Sequence, residues 1–188
     1  IWAAPGQGDY LTFENSSTKF IIDSDVSLAA LTGNARTDQG HGEGGVILVK
    51  DGGSLTVEGS VAYPNMNWVD SMIQLGTWGN SANGEYKMTL EVDGGSLVNA
   101  GVINVAHSKA TGVLNISTNG GSIAANTIQV GFDAAYRSTG TVNVAAGTLS
   151  ATSLYVGNAS RGVVNVSGGE LNMNTNGQVR IGYKRNNV

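Results

Sequence analysis

Cysteine is absent from the 188-residue chain, which excludes a disulfide framework, a thiolate zinc site and a cysteine nucleophile. Proline occurs twice and charged residues make up 13% of the chain, half the usual share of about a quarter. Neither a charged disordered tail nor a solvated helical bundle has that composition. Positive charge is also scarce. Ten Lys and Arg face 14 Asp and Glu, for a net charge of -4 and an isoelectric point near 5.0. This balance argues against nonspecific binding to nucleic-acid phosphates. No apolar run approaches the length needed to span a bilayer, so membrane insertion is not expected. The opening Ile1-Trp2-Ala3-Ala4-Pro5 lacks the basic and apolar segments of an intact signal peptide, although Ala-Ala suits the remnant of one. What the chain has in excess is glycine. Its 28 copies are about twice the average share of roughly 7%, the mark of a folded, turn-rich protein.

The glycines belong to an internal repeat. Gly162-Val-Val-Asn-Val-Ser-Gly-Gly-Glu-Leu171 with Val179-Arg-Ile-Gly182 matches Gly140-Thr-Val-Asn-Val-Ala-Ala-Gly-Thr-Leu149 with Leu154-Tyr-Val-Gly157. Upstream copies are Gly112-Val-Leu-Asn-Ile116, Gly120-Gly-Ser-Ile123 and Ile128-Gln-Val-Gly131, and Met88-Thr-Leu-Glu-Val-Asp-Gly-Gly-Ser-Leu97 with Ile103-Asn-Val-Ala106. The most distant is Ile47-Leu-Val-Lys-Asp-Gly-Gly-Ser-Leu55 with Ile73-Gln-Leu-Gly76. The closing positions 76, 106, 131, 157 and 182 are spaced by 30, 25, 26 and 25 residues. A period of this length signals a repeat architecture.

Each repeat holds three short alternations of apolar and polar residues, such as Val164-Asn-Val166, Leu171-Asn-Met173 and Val179-Arg-Ile181. Period-2 alternation is the signature of half-buried strands. So few residues cannot bury their own apolar side. Coiling the chain so that equivalent strands stack about 4.8 Å apart gives every strand a partner and builds one core. The sequence therefore predicts an all-β parallel β-solenoid with three short strands per turn of about 25 residues. Right-handed coiling is the expectation, on the general handedness of parallel crossovers.

This architecture assigns sides. Leu90, Leu114, Val142 and Val164, with Val92, Ile116, Val144 and Val166, are expected inside; so are Ile73, Ile103, Ile128, Leu154 and Val179 with their partners two residues on. Outside are expected Glu91, Asn115, Asn143 and Asn165 on one wall, and Gln74, Asn104, Gln129, Tyr155 and Arg180 on another. Stacked Asn side chains can bond to one another along the axis. The double glycines at 52–53, 94–95, 120–121 and 168–169 mark corners that call for positive φ. In one copy Ala146 stands in for the first glycine.

The repeating string Val-Gly, polar corner, Gly-x-Val-Asn-Val, Gly-Gly, x-Leu resembles the β-strand repeats in passenger regions of bacterial autotransporters and related secreted β-helix surface proteins. The resemblance covers residues 84 to 182 and, loosely, 44 to 83. It implies an exported bacterial protein, extracellular or on the cell surface, forming a rod that projects or adheres. It carries over no catalytic residue.

Three regions are distinguished. Residues 1–43 read as irregular N-terminal cap strands, 44–83 as a first divergent turn with an aromatic insertion, and 84–188 as regular repeats with an incomplete last turn. Tyr63, Trp68 and Trp78 are candidate contacts for a glycan or a host-surface ligand, because aromatic faces supply large contact area at little entropic cost. Packing of these rings on the rod's own side is the competing role. Asp23-Ser-Asp25 places two carboxylates on one side of a strand, and Asp38, His41 and Glu43 lie within one Gly-rich segment. Neither pattern has the ligand geometry of a metal site, and a solvated surface accounts for both. His107 reads as a solvated corner residue. No phosphate loop, dinucleotide fingerprint, nucleophile elbow or zinc-protease motif occurs, so no catalytic residue, cofactor or metal is assigned.

Residues 1 to 100 carry 12 acidic and 4 basic side chains (-8), and residues 101 to 188 carry 2 and 6 (+4), which sum to -4. Chain order is axial order in a solenoid, so one end is acidic and the other basic. Head-to-tail self-association, or continuation in a longer chain, is therefore expected, with Tyr183, Lys184 and Arg185 as axial contacts. The function expected is a noncatalytic structural solenoid: a surface stalk, adhesin or filament subunit. The rivals are a carbohydrate-active β-helix enzyme, either polysaccharide lyase or hydrolase, and a carbohydrate-binding module.

Overall fold

A computed structural model of the chain describes residues 10–15, 19–36, 45–58, 72–76, 87–107, 109–132, 137–158 and 160–182. Its strands are all parallel-paired and fall into two sheets. The six-stranded sheet contains β2 (Lys19–Ile22), β5 (Gly45–Lys50), β8 (Lys87–Asp93), β10 (Thr111–Ile116), β12 (Thr139–Val144) and β14 (Arg161–Val166). Between consecutive members the chain passes through the second sheet before returning one strand spacing further along. This is the parallel β-solenoid that the repeats predict.

The second sheet bends around a corner and so supplies two faces. β3 (Asp25–Leu28) pairs with β6 (Ser54–Val57) and β6 with the first half of β9 (Ser96–His107), while β4 (Ala30–Arg36) pairs with β7 (Met72–Leu75) and β7 with the second half of β9. β1 (Tyr10–Asn15) lies beyond β4. In β9, β11 (Ser122–Phe132), β13 (Thr148–Val156) and β15 (Glu170–Ile181) the two segments fuse into one bent strand. The bend falls at register shifts between Ala125 and Thr127 and between Ala151 and Ser153. In β9 the buried Asn99 side chain accepts the Gly101 backbone N–H at 2.8 Å and shapes the bend.

The register places like on like. Leu97, Ile123 and Leu149 stack at intervals of 26 residues on the second face. Leu90, Leu114 and Val142 stack on the first, and Ile73, Ile103, Ile128 and Leu154 on the third. All are buried in one continuous core. At roughly 1.5–3 kcal/mol for each aliphatic side chain fully withdrawn from water, these columns dominate the stability of the stack. In the last coil the inward columns end half-buried or exposed, with Val166 at 46%, Val179 at 48% and Ile181 at 79% exposure.

The outer walls divide. Asn143 donates to Asn115 Oδ1 at 2.7 Å and Asn165 donates to Asn143 Oδ1 at 2.8 Å, the axial amide ladder foreseen from the sequence. The other wall faces solvent only toward its end: Arg180 is exposed and Gln129 and Tyr155 are half-buried, but Gln74 and Asn104 are buried at 0% and 5% exposure. Alternation fixes the side a residue points to; it carries no information on what covers that side.

The glycine corners also need correction in part. Gly52, Gly94, Gly120, Gly121 and Gly147 have positive φ, but Gly168 and Gly169 do not. There the constraint is proximity. A Cβ on Gly168 would stand 2.3 Å from the Ala145 carbonyl oxygen of the preceding coil, closer than two backbones with side chains can come.

Candidate functional site

Where the first face turns into the second, each of the first four coils leaves a polar residue beside an apolar one. Ile22, Val49, Val92 and Ile116 form an inward column, and the residues that follow them are Asp23, Lys50, Asp93 and Ser117. Charges of opposite sign thus alternate along the axis. Asp93 is held firmly: one carboxylate oxygen, Oδ1, accepts both the Ser117 hydroxyl and the Asn119 amide, the latter at 2.8 Å. Asn119 is itself set by its backbone N–H, which donates to Ser117 Oγ at 3.1 Å. These two hydrogen bonds, foremost that of Ser117, lower the Asp93 pKa below the ordinary carboxylate value, against a smaller opposing effect of desolvation, and Lys50 and Lys19 add to the lowering.

Around Asp93 the corner opens into a groove of about 660 Å³ lined by Ile21, Asp23, Lys50, Asp51, Asp93 and Asn119. Its size falls within the range of small-molecule sites. Asp93 is ionised at neutral pH, so it is suited to accept hydrogen bonds from hydroxyl groups, or to act as base or nucleophile, and unsuited to donate a proton. Among the described residues no group of three or more His, Asp or Glu side chains is placed to hold a metal ion.

Sequence reasoning passed over this groove. Asp93 and Lys50 are 43 positions apart (93 less 50) and meet only through the β5–β8 register. The pair that alternation did suggest is split: β2 ends at Ile22 and β3 begins at Asp25, so Asp23 sits in the corner and lines the groove. Asp25 instead accepts the Ser54 hydroxyl of the next coil at 2.5 Å. His107, read as solvated, stacks on Phe132 with ring centroids 5.8 Å apart, because the two residues are partners in neighbouring strands. On the third face Arg180 lies over the Tyr155 ring, 5.9 Å from its centroid. Tyr63, Trp68 and Trp78, the Asp38, His41 and Glu43 group, and Tyr183, Lys184 and Arg185 lie outside the described residues.

No protein-family model, curated protein or solved structure matches the chain.

Proposed function

We propose that the chain is a noncatalytic structural β-solenoid, a segment of an extracellular stalk or adhesin. The observation that carries this reading is the coincidence of two axial systems: aliphatic columns inside all three faces and the Asn115, Asn143 and Asn165 ladder outside the first. Both run along the stacking direction, where a rod under tension needs its cohesion, and neither depends on a bound group. Export to a bacterial surface is supported by the likeness of the repeats to secreted β-helix surface proteins.

The corner groove favours one second reading, a carbohydrate-active enzyme. Asp23, Asp51 and Asp93 present three carboxylates to one groove with Lys50 beside them, and glycosidic bond cleavage uses paired carboxylates, one protonated and one ionised. Incubation with neutral and acidic polysaccharides separates the readings. The structural reading expects no new reducing ends and no unsaturated uronic products. Cleavage by the native chain that disappears in Asp93→Asn, with folding retained, establishes the enzyme instead.

A further inference from the structure

Cations collect on one corner of the stack, where the third face turns into the first. Four consecutive first-face strands each start with one. Lys87 opens β8 and Arg161 opens β14, while Lys109 and Arg137 stand two residues before Thr111 of β10 and Thr139 of β12. The register sets Lys87, Thr111, Thr139 and Arg161 in one column, and alternation turns that column outward, since Met88 beside Lys87 is buried. Lys87, Arg137 and Arg161 are exposed and Lys109 is half-buried. The corner is also pinned. Ser138, buried next to Arg137, donates its hydroxyl to the Ala106 carbonyl oxygen at 3.4 Å and its N–H to Ser160 Oγ at 3.3 Å. Acidic charge withdraws from the same coils: between Asp93 and Glu170 the sequence holds only Asp133, which lies outside the described residues, against Lys109, Arg137 and Arg161. In a chain of net charge -4 this is a local excess of the opposite sign. Neighbouring strands, about 4.8 Å apart, are closer than the Debye length of about 8 Å at physiological ionic strength, so the fields of their cations overlap along the corner.

We infer that this corner is a binding strip for an extended acidic polysaccharide lying along the stacking axis. One cation per coil suits a polymer with one carboxylate per sugar ring, because a ring is roughly as long as one strand spacing. Thr89, Thr111, Thr139 and Thr141, outward and half-buried beside the cations, carry hydroxyls that can bond those of the sugars. Duplex DNA fits less well. It carries one charge per about 1.7 Å of axis, far denser than one cation per coil, so most of its phosphates would stay uncompensated.

The inference rests on the adhesin side of the rod reading, yet the two fail separately. Cleavage of the polymer removes the noncatalytic reading whatever the affinity; an intact polymer that does not bind removes the strip and leaves the rod. The test is fluorescence anisotropy of labelled polygalacturonate titrated with the 188-residue chain, with neutral dextran and duplex DNA as comparison polymers. Polygalacturonate is expected to bind most tightly and dextran not at all, and binding should weaken as salt is raised. Arg137→Gln combined with Arg161→Gln, both at exposed positions, should weaken it about three- to thirtyfold without moving the melting temperature, and Lys87→Gln alone about two- to fivefold. Lys19→Gln removes one charge from the first coil and should leave the affinity unchanged. The proposal is overturned if polygalacturonate does not bind, if dextran or DNA binds as tightly, or if the Arg137 and Arg161 pair has no more effect than Lys19→Gln.

Discussion

One residue in each coil adopts the left-handed conformation at the end of the third face: Gly76 at φ 77°, Ala106 at 71°, Gly131 at 69°, Gly157 at 68° and Gly182 at 67°. These are the positions whose spacing betrays the repeat, so the period is legible because a backbone requirement recurs. The alanine is the instructive member. A left-handed L-residue costs about 1–2 kcal/mol, but Ala106 buries a methyl group worth about 0.8 kcal/mol, and glycine there would add about 0.5–1 kcal/mol of chain entropy to lose on folding. The terms nearly cancel, so Ala106→Gly is expected to shift stability by less than about 1 kcal/mol. Gly131→Ala has no such offset. Its Cβ would stand 2.2 Å from the Arg161 carbonyl oxygen, and a loss of about 2–4 kcal/mol is expected from conformation and clash together. Denaturant melts of the two variants check the asymmetry; equal effects would mean that φ alone governs the column.

Among the elements, the two amide columns make the sharper comparison. Both consist of residues between inward aliphatics, and from the sequence alone they are equivalent. In the first, Asn115, Asn143 and Asn165 satisfy one another. In the second, Gln74 Nε2 and Oε1, Asn104 Oδ1 and Gln129 Oε1 are buried without a hydrogen-bond partner, and the Asn104 amide finds only Met72 Sδ at 3.7 Å. Strand parity was legible in the alternation, whereas the burial of all four residues of β7 was not, because alternation carries no information on what covers a face. A buried polar group left unpaired costs about 1–3 kcal/mol. Gln74→Met keeps the length and flexibility of the side chain and removes both unpaired atoms. It is therefore expected to raise stability by about 1–2 kcal/mol, read as an upward shift of the denaturant midpoint with unchanged slope. A drop in stability would show that Gln74 has a partner in solution. The corner groove follows the same logic of legibility: its members come from four successive coils, and only the register assembles them.

At the scale of the whole molecule, a coil stack is nearly one-dimensional, and the energetic meaning of a residue depends on its distance from the ends. Val144 and Val166 occupy the same column, in register and in neighbouring strands. The sequence marks both as inward, and their repeats are almost identical. Val144 has Ile116 on one side and Val166 on the other and is fully buried, while Val166 is 46% exposed. An aspartate at 144 would place an unpaired carboxylate in the core, where it must stay protonated or draw in water, and should cost several kcal/mol, on the order of 3–5. The same change at 166 leaves the carboxylate within reach of solvent and should cost about 1 kcal/mol or less. Thermal melts of Val144→Asp and Val166→Asp test this gradient. Equal losses would mean that the last coil is as enclosed as the middle ones, which the exposure of Val179 and Ile181 argues against. A melting temperature for Val144→Asp matching the parent would contradict the inward column itself, and with it the register on which the groove depends.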